Sequence, residues 1–266
     1  MSRFRVIDAF TDRPFAGNPA AVMLLDGPYD EAWAQQVAAE FNLSETAFIV
    51  PDGDTADYAL RWFTPSVEVA LCGHATLAAA HALVEDGVDG PIRFATRSSG
   101  VLTVTPREGR LWMDFPANTP TPERFEGLAE ALGAAPVWTG TAGTCDILVE
   151  VADARTVRGI TPDMAALSAL DCRGVIVTAR ADEGSPDACV SRFFAPRVGV
   201  PEDPVTGSAH TVIAPYWARR LKQNAFTAFQ CSARGGRLYL EMPPAAPDRV
   251  FIGGSAVTVS EGDLRG

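Results

Sequence analysis

The sequence predicts an α+β protein of two pseudo-symmetric domains, each a curved, mostly antiparallel sheet wrapped around a central helix. The first observation behind this prediction is an internal repeat between residues 61–76 and residues 192–209. Arg, Phe, Pro, Val and Val recur in register, and both copies continue into a Gly-X-Ala triplet. A segment that recurs in this way indicates one structural unit used twice.

Two other pairs of segments support the repeat. Residues 48–50 match residues 175–177, and residues 111–116 match residues 238–243. All three matches keep the same order along the chain, which favours duplication over chance similarity between short strands.

A helix that is apolar on every face is the next observation. Residues 75–84 are almost wholly apolar or small, and Gly87 follows as a stop signal. Such a helix must be enclosed on most sides. Short strands predicted at 93–96, 101–105 and 111–115 are the natural enclosure.

The other elements of the first half follow from local patterns. Asp30 is a good N-cap for a helix that ends near Phe41, with an apolar stripe along one face. Runs of alternating polarity, or rich in β-forming residues, predict four further strands. These strands lie around residues 4–7, 20–25, 46–50 and 58–63.

The second half repeats the theme. A helix is predicted from Phe125 to Leu132, closed by Gly133, and another begins at Thr161-Pro162. A third helix is expected from about Gly207 to Leu221 with a kink or weak turn at its internal proline. Strands are predicted at residues 146–151, 175–178, 189–194, 226–230, 237–242 and 257–259.

The boundary between the domains is predicted in the linker 116–122, which is rich in residues that break both helix and strand. The N-terminal repeat domain is therefore expected at 1–117 and the C-terminal one at 118–266. The prediction leaves open a return of the last strand to the first domain.

Composition and charge narrow the class of protein. The chain has 266 residues and a net charge of −11, which disfavours nucleic acid and anionic membranes as partners. Its five cysteines form no C-x-x-C pair, so a reducing compartment is favoured over a disulfide framework or a zinc site. With no apolar stretch long enough to span a membrane, the expected location is the cytoplasm.

Two glycines open the predicted central helices. Gly73 and Gly207 each begin a Gly-X-Ala triplet, where backbone N–H groups are unpaired and the helix dipole is positive. The two helix starts are expected to cradle a carboxylate. The alternative is that both glycines only allow a tight start of the helix.

Four polar residues are candidates for chemistry. His74 lies in the first Gly-X-Ala turn, and Asp203 and Ser208 lie at the second. Glu45 precedes a strand core. Each has an ordinary reading as a packing, capping or solvated residue, and the repeat favours function because it would bring both halves toward one cleft.

Four motifs carry a resemblance to a known family. They stand in order along most of the chain, at residues 8–19 (DAFTDRPFAGNP), 44–48 (SETAF), 72–76 (CGHAT) and 202–210 (EDPVTGSAH). The chain resembles the phenazine-biosynthesis PhzF-like isomerase/epimerase family, which is related to diaminopimelate epimerase. The resemblance implies a two-domain fold of the diaminopimelate epimerase type, an active site in the cleft between the domains, no metal or organic cofactor, and a homodimer.

The resemblance also implies roles for individual residues. Glu45 would be the catalytic proton shuttle, with His74, Asp203 and Ser208 as its catalytic partners. Substrate-binding positions are then expected at Asn18, Gly73, Thr206 and Gly207. A glutamate enclosed in a cleft has its pKa raised by desolvation, toward the range where it can both remove and return a proton.

Cysteine chemistry is the main alternative at the site. Cys72 stands where a diaminopimelate-type epimerase has a catalytic thiol, but its repeat partner is Val205 or Thr206, neither of which is a carbon base. A two-cysteine racemase is therefore disfavoured, and Cys72 is read as a packing residue. A metal site of Cys72, His74 and His210 lacks a recognised ligand spacing and is also disfavoured.

The predicted function is that of a cofactor-independent isomerase that moves a proton within a small carboxylic acid. In family members that make phenazines, the substrate is trans-2,3-dihydro-3-hydroxyanthranilate. The alternatives are an epimerase or racemase of an amino-acid-like acid, and a non-catalytic binding protein of the same fold.

Overall fold

The computed structural model describes residues 2–265, which form two compact units. The first unit contains the described residues up to Asp114 and those from Gly253 onward, and the second contains Phe115–Ile252. The last strand belongs to the first unit because it pairs along the whole of the first strand. No helix among residues 2–265 is long and apolar enough to cross a membrane.

The first unit is built mainly from strands. Its elements are β1 (Ser2–Ala9), β2 (Asn18–Leu24), α1 (Glu31–Phe41), β3 (Glu45–Pro51), β4 (Tyr58–Phe63), β5 (Glu68–Val69), α2 (Gly73–Glu85), β6 (Ile92–Thr96), β7 (Val101–Arg107), β8 (Arg110–Pro116) and the returning β17 (Ala256–Leu264).

Pairing in this unit is mostly antiparallel. Antiparallel ladders join β17 to β1, β1 to β2, β3 to β4, β6 to β7 and β7 to β8. Two parallel ladders interrupt them, β2 with β3 and β4 with β6. Parallel neighbours need a crossover connection, and α1 and α2 supply these two.

Helix α2 is the buried centre predicted for this unit. Nine of its residues, from His74 to Leu83, are buried. The helix contacts β1, β2, β3 and β17. Alanines dominate its surface, so strands can approach it closely from several sides.

Helix α1 packs on β3 and β4 in a separate apolar cluster. Asp30 caps it as predicted, accepting a hydrogen bond from Trp33 N at 2.9 Å. The stripe predicted on this helix forms part of the cluster, in which Val37 and Ala38 pack with Phe48 and Phe63.

The second unit is also built mainly from strands, with a few helices. Its elements are β9 (Thr121–Pro122), α3 (Leu128–Leu132), β10 (Trp138–Thr141), β11 (Asp146–Glu150), α4 (Ala154–Gly159), α5 (Met164–Ala169), β12 (Gly174–Arg180), β13 (Cys189–Phe194), α6 (Gly207–Leu221), β14 (Ala225–Gln230) and β15 (Gly236–Glu241). Strand β16 (Arg249–Gly254) spans the point where the chain passes back into the first unit.

Several predicted boundaries in this half are wrong. The helix predicted from Phe125 begins only at Leu128, because Gly127 has a left-handed backbone with φ 73°. The helix predicted at Thr161-Pro162 begins at Met164, where Asp163 caps the first turn. The predicted linker contains β9, and α4, β10 and β16 are additional elements.

Helix α6 continues through its internal proline to Leu221. Pro215 has no N–H, so it cannot donate to the carbonyl of Thr211 four residues earlier. That carbonyl accepts from Asn118 N at 3.0 Å, and Asn118 Nδ2 donates to Thr211 Oγ1 at 2.9 Å. The proline therefore leaves an acceptor on the helix that the segment before β9 uses.

The two units repeat one ladder pattern. The parallel pair β2 and β3 corresponds to β11 and β12, and the parallel pair β4 and β6 corresponds to β13 and β14. A bidentate ion pair also recurs, Arg61 with Glu68 and Arg192 with Glu202. Each guanidinium lies over an aromatic ring two residues along its strand.

Ladder register corrects two of the three sequence matches. Phe48 lies opposite Arg61, whereas the residue opposite Arg192 is Val177. Phe48 therefore corresponds to Val177, two residues from the match predicted. Strand β15 pairs with β14 as β7 pairs with β6, so the counterpart of β15 is β7 and not β8.

The corrected register makes Gly174 the counterpart of Glu45, since these residues lie opposite Asp146 and Ala20 in the two parallel ladders. A Cβ at Gly174 would lie 2.4 Å from Cζ of Phe193, a buried ring. The second unit therefore fills with an aromatic ring the space beside the backbone position that carries an acid in the first.

We expect Gly174→Ala to lower the free energy of unfolding by about 1–3 kcal/mol, because the added methyl group overpacks a buried ring. Gly159→Ala is the control, since a Cβ there meets nothing within 4 Å. It should change stability by no more than about 0.5 kcal/mol. Urea titrations of both variants test this, and equal stabilities would contradict the close contact at Gly174.

Candidate active site

The start of α2 places His74 inside the first unit. Cys72 precedes the helix with an extended backbone, and its carbonyl accepts from Thr76 N at 3.1 Å and from Thr76 Oγ1 at 2.6 Å. Gly73 is the first helical residue and His74 the second. His74 is buried because the first turn lies inside the strands that enclose α2.

Glu45 lies beside this imidazole. It is the first residue of β3, and its Oε2 is 3.2 Å from His74 Nε2. The two atoms touch without the alignment of a full hydrogen bond. Only 19% of the Glu45 side chain is exposed, so the carboxylate is partly screened from water.

Asn18 contacts the opposite nitrogen of the ring. Its Nδ2 lies 3.2 Å from His74 Nδ1, and the Asn18 side chain is fully buried. An amide nitrogen only donates, so Nδ1 is the acceptor and the neutral imidazole carries its proton on Nε2. This tautomer places the N–H on the ring nitrogen that lies nearest the Glu45 carboxylate.

Burial lowers the pKa of His74 to about 3. The imidazole is therefore neutral at ordinary pH, and the dominant cause is desolvation of the charged form. A neutral imidazole can donate one hydrogen bond to Glu45 without holding it in a permanent ion pair.

Cys72 completes this group. Its Sγ lies 3.5 Å from His74 Nδ1. Among the described residues, Glu45, Cys72 and His74 each offer a possible metal-ligand atom within 4.8 Å of the others. The thiol contacts Nδ1 of the ring, and the carboxylate lies beside Nε2.

In the second unit, Asp203 and Thr206 form a hydrogen-bonded turn ahead of α6. Thr206 Oγ1 donates to Asp203 Oδ2 at 2.5 Å. Buried Gln230 holds both ends of the turn, accepting from Thr206 N at 2.9 Å and donating to the Asp203 carbonyl at 2.7 Å. These contacts make Thr206 a residue that shapes the turn.

Ser208 follows Gly207 in the first turn of α6. Its Oγ accepts from Arg173 Nη2 at 3.0 Å, and Arg173 is paired with the buried carboxylate of Asp146. The residue two positions further, His210, donates from Nδ1 to the Thr206 carbonyl at 2.7 Å. Burial lowers its pKa to about 4.

The structure thus groups the predicted residues as two sets. Asn18 and Glu45 both contact His74 in the first unit, next to Gly73. Asp203, Thr206, Gly207 and Ser208 are grouped at the start of α6 in the second.

The sequence analysis did not predict a role at the site for three residues around the second set: Gln230, Asp146 and Arg173. The available signal was Asp146, a carboxylate that is followed by three apolar residues of its strand and would be costly to bury without a partner.

Comparisons with known proteins agree with this fold. The family model described as phenazine biosynthesis-like protein matches residues 7–262. A PhzF-family protein of Enterococcus faecalis has a solved structure with a TM-score of 0.93 and 42% identity, covering 100% of both chains. A hydroxyproline epimerase of Agrobacterium vitis matches with a TM-score of 0.64 over 98% of this chain and 91% of its own, at 12% identity, which shows the fold alone.

An uncharacterized isomerase of Pseudomonas aeruginosa is 50% identical over 98% of both chains. The α+β fold of the diaminopimelate epimerase type that the sequence predicted is confirmed. The protein is therefore an enzyme of the isomerase class. It belongs to the phenazine biosynthesis-like PhzF family.

Acid should destabilise the protein through its buried histidines. The folded-state pKa values of His74 and His210 lie below the unfolded value near 6.5, so the unfolded chain binds more protons once the pH falls below that value. Stability is thus full above about pH 6.5 and is lost as pH falls toward 4, at up to about 1.4 kcal/mol per pH unit for each histidine.

Urea unfolding between pH 7 and 5 measures this slope. His210→Gln should reduce it by about one proton, whatever the variant's stability at pH 7. A slope identical to that of the native protein would show that His210 is already protonated when folded.

Proposed function

We propose that the protein is a cofactor-independent isomerase in which Glu45 moves a proton between two carbon atoms of a small carboxylic acid. The observation that carries the proposal is the Glu45 carboxylate next to a neutral, buried imidazole whose tautomer is held by Asn18. A single carboxylate that first accepts and then returns a proton needs this kind of adjustable partner.

The proton balance is simple. Glu45 removes a proton from one carbon, leaving a carbanion delocalised into the conjugated acid, and the protonated Glu45 returns it to another carbon. His74 Nε2–H supports the carboxylate form before the first step. Backbone N–H groups at the start of α2, beginning with Gly73, are suited to binding negative charge on the substrate.

Roles in the second unit are proposed from the family resemblance. Asp203 and Ser208 are proposed as catalytic partners of Glu45, and Gly207 as a backbone donor to the substrate carboxylate. Supporting this, Gln230 and Arg173 hold the Asp203 turn and the Ser208 hydroxyl in defined positions. Thr206, proposed earlier as a binding residue, supports the turn through Asp203.

A two-thiol epimerase is the second candidate, suggested by the likeness in fold to a hydroxyproline epimerase. Cys72 and Thr206 are the N-cap residues of the two central helices, with similar extended backbones. Thr206 therefore stands where the second thiol would be needed. A hydroxyl already donating to a carboxylate cannot serve as a carbon base, so this candidate is disfavoured.

The test is incubation with trans-2,3-dihydro-3-hydroxyanthranilate in D₂O, with deuterium uptake and product followed by NMR and mass spectrometry. The native protein should turn over, and Glu45→Gln should lose about 10²–10⁴-fold in rate because the amide cannot carry the proton. Glu40→Gln, on the exposed face of α1, is the charge-matched control and should keep full activity.

Each outcome decides a different point. Turnover by Glu45→Gln at the native rate would remove Glu45 as the base. If neither the native protein nor Glu45→Gln turns over this compound, it is rejected as the substrate, and other small carboxylic acids are assayed next. Inversion at one carbon without a positional shift would favour the epimerase.

Location and assembly are separate proposals. We propose a cytoplasmic homodimer, on the grounds of five free cysteines and the family resemblance. Sedimentation equilibrium on the purified chain tests the dimer, for which a mass near 28.2 kDa would be contrary.

A further inference from the structure

The ion pair between Arg173 and buried Asp146 contacts the Ser208 hydroxyl through the arginine. Arg173 Nε donates to Asp146 Oδ1 at 2.9 Å, and its Nη2 donates both to Asp146 Oδ2 and to Ser208 Oγ at 3.0 Å. The Asp146 side chain is 0% exposed, whereas 37% of the Arg173 side chain is exposed. The guanidinium is thus bound to a fully buried carboxylate, and part of the arginine side chain reaches solvent.

The sheet holds this arginine in place. Asp146 begins β11 and lies opposite Gly174, the residue after Arg173, in a parallel ladder. Arg173 N donates to the Cys145 carbonyl at 2.7 Å, and the Phe193 ring lies 5.3 Å from the guanidinium carbon. Backbone, carboxylate and ring together leave the guanidinium little freedom to turn.

A guanidinium only donates hydrogen bonds. Ser208 Oγ must therefore accept from Arg173, and the hydroxyl proton of Ser208 has to point elsewhere. A hydrogen bond from a charged donor also polarises the hydroxyl, which makes its proton a stronger donor.

Ser208 and its counterpart in the first unit, His74, contact groups of opposite charge. Ser208 and His74 are both the second residue of a central helix. His74 meets the Glu45 carboxylate, a group that can take up a proton, whereas Ser208 meets a permanent cation. The second position is thus built to donate to negative charge.

We propose that Arg173, anchored by Asp146, is a positioning residue that makes Ser208 a fixed hydrogen-bond donor to a negatively charged oxygen of the substrate. The inference rests on the proposed function, which takes Ser208 as a group that contacts the substrate. Arg173 acts through Ser208, so its removal has no effect on turnover once that hydroxyl is gone.

The chain offers a matched control for a purely structural ion pair. Arg237 forms the same two-pronged contact with buried Asp187, its side chain is 40% exposed, and it lies near the Phe229 ring. Loss of either arginine removes one such pair, and only loss of Arg173 removes the contact to Ser208.

The first experiment needs no substrate. Ser208→Cys places a thiol at the contact, and the pH dependence of its alkylation by iodoacetamide is read by peptide mass spectrometry, which separates it from the five native cysteines. Adding Arg173→Met should raise the thiol pKa and slow alkylation at pH 7 about tenfold, because a nearby cation stabilises the thiolate. Adding Arg237→Met should leave the rate unchanged.

The second experiment is a double-mutant cycle on kcat and KM in the deuterium assay, with thermal melts on each variant. Arg173→Met should lower kcat about tenfold, by weakening one donor to developing charge, and Arg173→Lys should restore part of it. In the Ser208→Ala background, Arg173→Met should have no further effect.

The outcomes separate this inference from the proposed function. A thiol pKa indifferent to Arg173, or additive losses in the cycle, would overturn the positioning role even in an active enzyme. A native protein that is silent on the assayed substrate rejects that substrate, and the alkylation series then decides the inference. If Ser208→Cys does not fold, the kinetic cycle decides it.

Discussion

Enclosure of an apolar helix is the constraint on which the first unit depends. Alanine-rich α2 exposes almost no polar surface, so strands must cover it along nearly its whole length. The first turn is covered with the rest, and His74 is deprived of water. The neutral imidazole beside Glu45 is thus a consequence of packing, since desolvation is the cause of its lowered pKa.

Duplication supplied two such helix starts, and their surroundings then diverged. The Arg–Glu ion pairs, the cation–π contacts and the order of parallel and antiparallel ladders are common to both units. The difference lies at two pairs of equivalent positions in the parallel ladders. Glu45 is replaced by Gly174, and Ala20 is replaced by the buried carboxylate of Asp146.

Local patterns were sufficient to predict β4, β13 and α6 and the cap at Asp30, because each is determined by nearby residues. The repeat predicted the architecture. The repeat could not set the register between strands. The ladders make Val177 the counterpart of Phe48, two residues from the predicted match. Arg173 and Gln230 were not predicted because their contacts depend on ladders between distant segments, and neither the charged side chain before β12 nor the amide side chain in β14 reveals its partner.

The unequal chemistry of the two units bears on the reaction. At the backbone position equivalent to Glu45 the second unit has glycine, with an aromatic ring against it and a guanidinium one residue before it, so the repeat supplies no second carboxylate there. A guanidinium does not accept a proton at any ordinary pH. Under the proposed function, Glu45 therefore both removes and returns the proton. A single base serves one face of the substrate, so the proposed shift would be suprafacial, and part of the isotope that Glu45 removes would return to the same molecule.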